Sequence, residues 1–274
     1  HFIEVHIDNG LFQLGQSDAG GLHPVTVGHV DNMYFWHNFL LGQIISHTVA
    51  FIKREWYNPR MPKTAGLIGF PLGHSISPAM HNAAYKKLGL DFIYVPFEVP
   101  PDDLREALAG LRALHMAGFN VTIPHKESIL PLLDDITPVA KRIGAVNTVV
   151  NQEGRLVGYN TDGPGFIESL KADAHFDPQG KSAVILGAGG ASRAVAVMLA
   201  EAGASEITLS DVIETRASLL AEYLIFYAKT TCYFAGSGSP ELTEKIAKAD
   251  LLVHGMGELA IKETVYQAEI AKLR

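Results

Sequence analysis

A single cysteine, Cys232, stands in 274 residues. That rules out an internal disulfide framework and fits a reducing compartment, so a cytoplasmic location is expected. Long runs of basic charge are also missing. Twenty-two Lys and Arg against twenty-nine Asp and Glu leave a net charge of −7, the wrong sign for the electrostatic footprint of a nucleic-acid binder. The nearest approach to a bilayer-length apolar run is Met33 to Ile52, which is interrupted by His37, Asn38, Gln43, Ser46 and His47. Those groups are costly in hydrocarbon, so the stretch predicts a buried or amphipathic helix and no membrane partner. It also starts too far from residue 1 for a usual secretory signal. Six histidines lie between His1 and His47, yet none has the spacing of a metal-ligand pair, and no metal is expected. Asn120-Val121-Thr122 matches a glycosylation sequon, which is idle in a cytosolic chain.

What is present is an ordinary globular composition, 47% hydrophobic and 19% charged, long enough for one large or two medium domains. Residues 1–61 carry no recognisable motif. Phe2, Val5 and Ile7 suggest a strand, and Gly10, Gly15, Gly20 and Gly21 break the next stretch into turns. Two prolines within Asn58-Pro-Arg-Met-Pro62 mark a boundary.

From residue 62 strands and helices alternate, which predicts a largely parallel sheet. Thr64 to Phe70 suits a buried strand. Ser77-Pro78 predicts a helix start, with the serine hydroxyl capping free amides and proline at the first helical position. A loop holding Ser75 and Ser77 beside free backbone amides suits a carboxylate. Strands are expected over 92–99 and 117–122, a helix over 102–114, and a hairpin around Glu153-Gly154. The strand ending at Thr122 runs into Asn120-Val121-Thr122-Ile123-Pro124-His125-Lys126, which gathers an amide, a hydroxyl and an ammonium at a strand end.

The second half opens on a different signature. Ser182 to Leu186 is β-rich and leads into Gly187-Ala188-Gly189-Gly190-Ala191-Ser192-Arg193-Ala194 and an apolar helix. Strand, glycine turn, helix is the context of the Rossmann dinucleotide fingerprint. Gly187 permits the tight turn, while Gly189, Gly190 and Ala191 let backbone amides approach a pyrophosphate. Ser192 fills the third glycine position. Asp211, at the end of the next strand and 24 positions after Gly187, can accept both adenosine ribose hydroxyls and would repel a 2′-phosphate. NAD is therefore favoured over NADP, with Arg216 as a partial counterweight.

The stretches at 69–82, 120–126, 144–148 and 158–163 together resemble the shikimate dehydrogenase family, including its quinate/shikimate branch. The glycine motif is similar to that family's own. The resemblance implies two α/β lobes: a substrate-binding lobe (62–162, with a closing helix over 259–274) and a Rossmann-like NAD(P) lobe (163–255), with the site in the cleft between them. It implies that Ser75 and Ser77 hold the substrate carboxylate, that Thr122, Asn147, Asp162 and Gln267 contact substrate, and that Lys126 and Asp162 are the catalytic pair. The implied reaction is reversible NAD(P)-linked oxidation of shikimate or quinate in aromatic amino-acid biosynthesis, by a monomer or homodimer. A lysine can shuttle the alcohol proton when its pKa is near working pH. Burial would lower that pKa and a neighbouring Asp162 would raise it.

The resemblance thins after Leu251-Leu252-Val253. The family expects Asn-Ala-Thr-Pro-x-Gly-Met and two further strand–helix units, whereas the chain reads His254-Gly255-Met256-Gly257 and then Val265 to Ala271. Either residues completing the sheet are not contained in this sequence, or the nucleotide lobe is shortened and its cofactor site compromised. A sheet ending after four strands would leave an open edge, which favours the first. A shortened lobe would suit a different role, a substrate-binding sensor or regulator.

Overall fold

Three short strands open the chain: β1 (Phe2–Asp8), β2 (Leu11–Asp18) and β3 (Gly21–His23). They form an antiparallel meander. The computed structural model describes residues 2–8, 11–18, 21–23, 62–73, 75–228 and 230–255. The Met33–Ile52 stretch, His74, and the helix expected over 259–274 with Gln267 lie outside the described residues. The chain divides into two units, residues 28–161 and residues 1–27 with 162–274.

In the first unit the order is β4 (Lys63–Gly69), α1 (Ser77–Leu88), β5 (Phe92–Glu98), α2 (Leu104–Ala113), β6 (Gly118–Val121), α3 (His125–Ser128), β7 (Asp135–Ile136), α4 (Pro138–Ile143), β8 (Thr148–Gln152) and β9 (Arg155–Tyr159). The sheet order is β5-β4-β6-β8-β9-β7. The expectation of a largely parallel sheet holds for only part of it. β4 is parallel to β5 and β6, and β7 to β9, but β8 is antiparallel to both β6 and β9. The β8–β9 loop is two residues, Glu153 (φ 53°) and Gly154 (φ 89°). A two-residue turn with both φ positive matches strand twist only in an antiparallel hairpin; a parallel connection needs a dozen residues or more.

Helical spacing explains how this sheet is covered. Leu104, Leu108 and Leu111 of α2 recur on one face and are all buried. They join Ile68, Phe119, Val121 and Val149 in one core cluster. Each such side chain contributes about 1.5–3 kcal/mol on burial.

The second unit contains α5 (Asp162–Ala172), β10 (Ser182–Leu186), α6 (Gly190–Glu201), β11 (Glu206–Ser210), α7 (Glu214–Ala228), β12 (Thr231–Phe234), α8 (Pro240–Lys248) and β13 (Leu251–His254). Its sheet order is β12-β11-β10-β13-β1-β2-β3, and the four strands β10 to β13 are parallel. The edge that the sequence pattern leaves open beside β13 is paired. β1 lies parallel to β13, with Ile3 opposite Leu251 through His6 opposite His254. Among the described residues the sheet therefore continues from β13 into the chain's first strands.

Cys232 is buried on β12. Burial, opposed by the hydrogen bond of the Tyr233 backbone and reinforced by Glu206, pushes its thiol pKa up to about 12. The folded value exceeds the ordinary 9.0. Stability from the protonated thiol is thus fully present below the ordinary value and is lost as pH rises from there toward about 12. In mildly alkaline buffer a thiolate-selective alkylating reagent should leave native Cys232 unmodified and label it on denaturation, as read by mass spectrometry. Rapid labelling of the native protein would contradict this.

Candidate active site

The loop from β4 to α1 carries the two serines of the candidate carboxylate site. Ser75 donates its N–H to Leu72 O at 2.9 Å, and its hydroxyl accepts from Ser77 N at 3.3 Å. The helix start differs from the Ser-Pro expectation. Ile76 occupies the cap position with helical backbone angles (φ −85°, ψ −8°), so Ser77 is the first residue of α1 and does not cap it. A serine caps through an extended backbone, which the loop denies here. Both serines are half-buried.

Thr122 and Lys126 are placed by the turn that leaves β6. Thr122 N donates to Ile68 O at 2.9 Å, Phe70 N to Ile123 O at 2.9 Å, and His125 N to Thr122 O at 2.9 Å. The His125 Nε2 lies 2.7 Å from Val99 O and pins the turn from beneath. Gly69 packs so closely here that an added Cβ would strike the Thr122 methyl and come within 2.9 Å of Ile123 O. Lys126, in the one-turn α3, is only 6% exposed. Its carbonyl accepts from Val146 N at 2.7 Å, and Val121 N donates to Asn147 O at 2.8 Å. Segments 121–126 and 146–147 are thereby held side by side.

Asn147 is buried immediately before β8. Its Nδ2 donates to Thr161 Oγ1 at 2.8 Å and its Oδ1 accepts from Thr161 N at 2.9 Å. The carboxamide thus holds the residue immediately before Asp162. Asp162 is buried and opens α5, where the helix N-terminus favours a carboxylate. Gln267 lies outside the described residues. Sequence reasoning passed over Tyr94, and found Asn120, Thr148 and Thr161 only as parts of motifs. Apart from the neighbouring Thr148, these residues reach Asn147 through links of 14 to 28 positions in sequence, a pattern with no local signal.

The glycine turn lies between β10 and α6. Gly187 adopts φ 108°, open to glycine alone at low cost, and donates its N–H to Ser210 O at 2.7 Å. Gly189 occupies the cap position of α6 with no side-chain cap, and a Cβ added there meets nothing within 4 Å. Among the described residues, the first N–H groups of α6 therefore meet no capping side chain at a bare backbone, which fits a pyrophosphate. Ser192 is fully buried. Its hydroxyl donates to Gly255 O at 3.4 Å, and a Cβ on Gly255 would collide with it. Close packing at the third position of the fingerprint is thus shared between Ser192 and Gly255. Both Asp211 oxygens accept backbone N–H groups, Oδ2 from Ala188 at 2.7 Å and Oδ1 from Ile213 at 2.8 Å. The carboxylate proposed for the ribose also fastens the glycine turn. Among the described residues no group of three or more His, Cys, Asp or Glu is arranged to hold a metal, and no helix is long and apolar enough to cross a membrane.

The sequence profile of the shikimate dehydrogenase substrate binding domain matches residues 67–149. A protein of Geobacter metallireducens named shikimate dehydrogenase (NADP(+)) is 47% identical over 205 residues, covering 73% of this chain and 72% of that protein. The chain belongs to the shikimate dehydrogenase family. Another member, from Desulforamulus reducens and of the same name, is 48% identical over 191 residues, 70% of this chain and 66% of that protein. The chain thus spans about two thirds of the length of such relatives. The fold is also shared with solved shikimate dehydrogenases. One, the Listeria monocytogenes shikimate 5-dehydrogenase crystallised with shikimate and NAD, is 35% identical, with a TM-score of 0.65 over 73% of this chain and 71% of that one. Ser75, Ser77, Thr122, Lys126 and Asn147 fall within the profile match, while Asp162 and the glycine turn lie beyond its end.

Proposed function

We propose that the protein reversibly oxidises the 3-hydroxyl of shikimate, or of quinate, to the 3-dehydro acid with a nicotinamide dinucleotide. The observation that carries this is Lys126: a lysine buried to 6% exposure beside Asn147 in the substrate-binding half of a shikimate dehydrogenase family chain. In this reading Ser75 and Ser77 hold the carboxylate by hydroxyl and amide donors. Thr122, Asn147 and Asp162 orient the ring hydroxyls, with Gln267 as a further substrate contact. Oxidation removes a hydride from carbon and a proton from oxygen. Lys126 Nζ accepts the proton in that direction and returns it in reverse, with Asp162 as the second member of the pair. Nicotinamide, when bound, supplies the hydride acceptor.

The preferred dinucleotide in this reading is NAD, although the Geobacter and Desulforamulus relatives are named for NADP(+). Supporting NAD, Asp211 is anchored by two N–H groups and cannot swing aside from a 2′-phosphate. The next two residues, Val212 and Ile213, are exposed and apolar where a phosphate would need cations. Arg216 is exposed on α7. Cytoplasmic location and a monomeric or homodimeric state belong to the same proposal.

Absorbance of the reduced nicotinamide, followed with shikimate and then quinate as substrates, tests the activity. Turnover of either is expected, with kcat/KM for NAD exceeding that for NADP by about tenfold or more, the size of one unfavourable charge contact. Binding of shikimate without any turnover would instead support the sensor role.

A further inference from the structure

Tyr94 of β5 is buried, 3% exposed, and gripped on several sides. Asn82 of α1 clamps its backbone: Asn82 Nδ2 donates to Tyr94 O at 2.9 Å, and Tyr94 N donates to Asn82 Oδ1 at 2.9 Å. The His81 ring stacks on the phenol ring at 4.1 Å with 8° between planes, and His81 Nδ1 lies 2.9 Å from Ser77 O. The phenol donates to Asn120 Oδ1 at 2.7 Å. Asn120 Nδ2 donates to Thr148 Oγ1 at 3.0 Å, and Thr148 Oγ1 donates to Asn147 Oδ1 at 3.1 Å. Asn147 then holds Thr161 through its amide nitrogen and oxygen.

The direction of each bond sets the next. A carboxamide turned by 180° has nearly the same shape but exchanges donor for acceptor. A tyrosine hydroxyl has one proton. Given to Asn120 Oδ1, it commits the Asn120 NH2 to Thr148. The Thr148 oxygen is then accepting, so its own proton passes to Asn147 Oδ1. The same direction is required from the other side, where the Thr161 N–H can only donate: the Asn147 oxygen faces Thr148 and the Thr161 amide, and its nitrogen faces the Thr161 hydroxyl. Burial, and then the neighbouring Tyr85, hold the phenol well above its usual pKa, so it keeps its proton and remains a donor.

We propose that Tyr94 is a positioning residue: through Asn120 and Thr148 it braces the Asn147 carboxamide in the direction the Thr161 amide also requires, and through the His81 stack it ties that amide to the Ser77 end of the same site. The proposal rests on the shikimate or quinate dehydrogenase function in assigning Asn147 and Ser77 to the substrate.

Two readouts test it. The first needs no substrate. The Asn147 side-chain NH2 signals in a proton–nitrogen correlation spectrum, assigned by their loss in Asn147→Asp, should move in Tyr94→Phe although that hydroxyl is two side chains away. The second is kinetic. Tyr94→Phe should raise KM for shikimate or quinate roughly five- to tenfold, the effect of one lost hydrogen bond. Its affinity for NAD should stay unchanged. Thr148→Val should do the same, and Thr148→Ser, which restores the hydroxyl, should recover most of the loss. Unmoved Asn147 signals in folded Tyr94→Phe overturn the relay, and so does an unchanged KM in an active enzyme. Equal losses of substrate and NAD affinity would mark a general structural defect and also overturn it. A wild-type protein that turns over neither alcohol defeats the functional reading, and the Asn147 signals still judge the relay.

Discussion

Replacing Lys126 with alanine should lower kcat by about 10²–10⁴-fold, the usual contribution of a positioned acid–base group. KM for shikimate should change little, because the ring and carboxylate contacts proposed for Ser75, Ser77, Thr122 and Asn147 remain. Lys126 is nearly excluded from solvent in a four-residue helix whose backbone is fastened to Val146. The truncation therefore removes the ammonium without loosening the strand ends around it. Lys126→Arg is the sharper variant. It keeps a positive charge but cannot release a proton near neutral pH. A proton carrier predicts that arginine restores little turnover; a residue that only attracts the substrate's charge predicts that it restores most. Steady-state kcat and KM for the two variants decide this, and a near-normal kcat for Lys126→Ala would remove the lysine from the mechanism.

Asp211→Ala should cost about 2–4 kcal/mol of folding stability. Hydrogen bonds to a charged acceptor are worth about 1.5–3 kcal/mol, and a buried donor left without a partner costs about 1–3 kcal/mol. Two backbone donors depend on this carboxylate. The Ala188 amide belongs to a residue only 2% exposed and would be stranded; the Ile213 amide, on a residue 49% exposed, can turn to water. Ala188 sits between Gly187 and Gly189, so the same loss loosens the turn proposed to meet the pyrophosphate. NAD affinity should fall and the discrimination against NADP should shrink, since the charge that repels a 2′-phosphate is gone. Denaturant unfolding and calorimetric titration with each dinucleotide measure both effects. An Asp211→Ala protein with unaltered stability would mean that the two N–H groups find other acceptors.

How far the chain could be read from its sequence is clearest where one dipeptide has two outcomes. Ser239-Pro240 and Ser77-Pro78 carry the same helix-start signal. Ser239 is extended (ψ 150°) and its hydroxyl accepts from Leu242 N at 3.1 Å, a working cap. Ser77 has been drawn inside the helix, because the loop from Phe70 delivers Ile76 already in helical geometry. Capping chemistry is local, but the direction from which the chain arrives is not. The glycine turn and the Glu153-Gly154 hairpin were legible for the opposite reason: the backbone angles each needs are marked by glycines within the turn itself, whatever distant groups later fasten it.

Short-range rules therefore marked many of the elements between Lys63 and His254 and the strand–turn–helix of the nucleotide half, while α5 and the two-residue β7 carried no such mark. Pairing between distant edges lay beyond them. Nothing local says that β8 runs antiparallel to β6 or that β1 lies along β13, because strand partners are selected by which exposed edges meet once the helices have covered the faces. The same holds within the site. Asp211 reaches an amide 23 residues away, and Tyr94 reaches Asn147 through Asn120 and Thr148, with 26 and 28 residues bridged in the first two bonds. A buried polar group must find a partner wherever folding brings one. A sequence can therefore name the chemical groups, while their partners and the direction of each hydrogen bond come only with the packed chain.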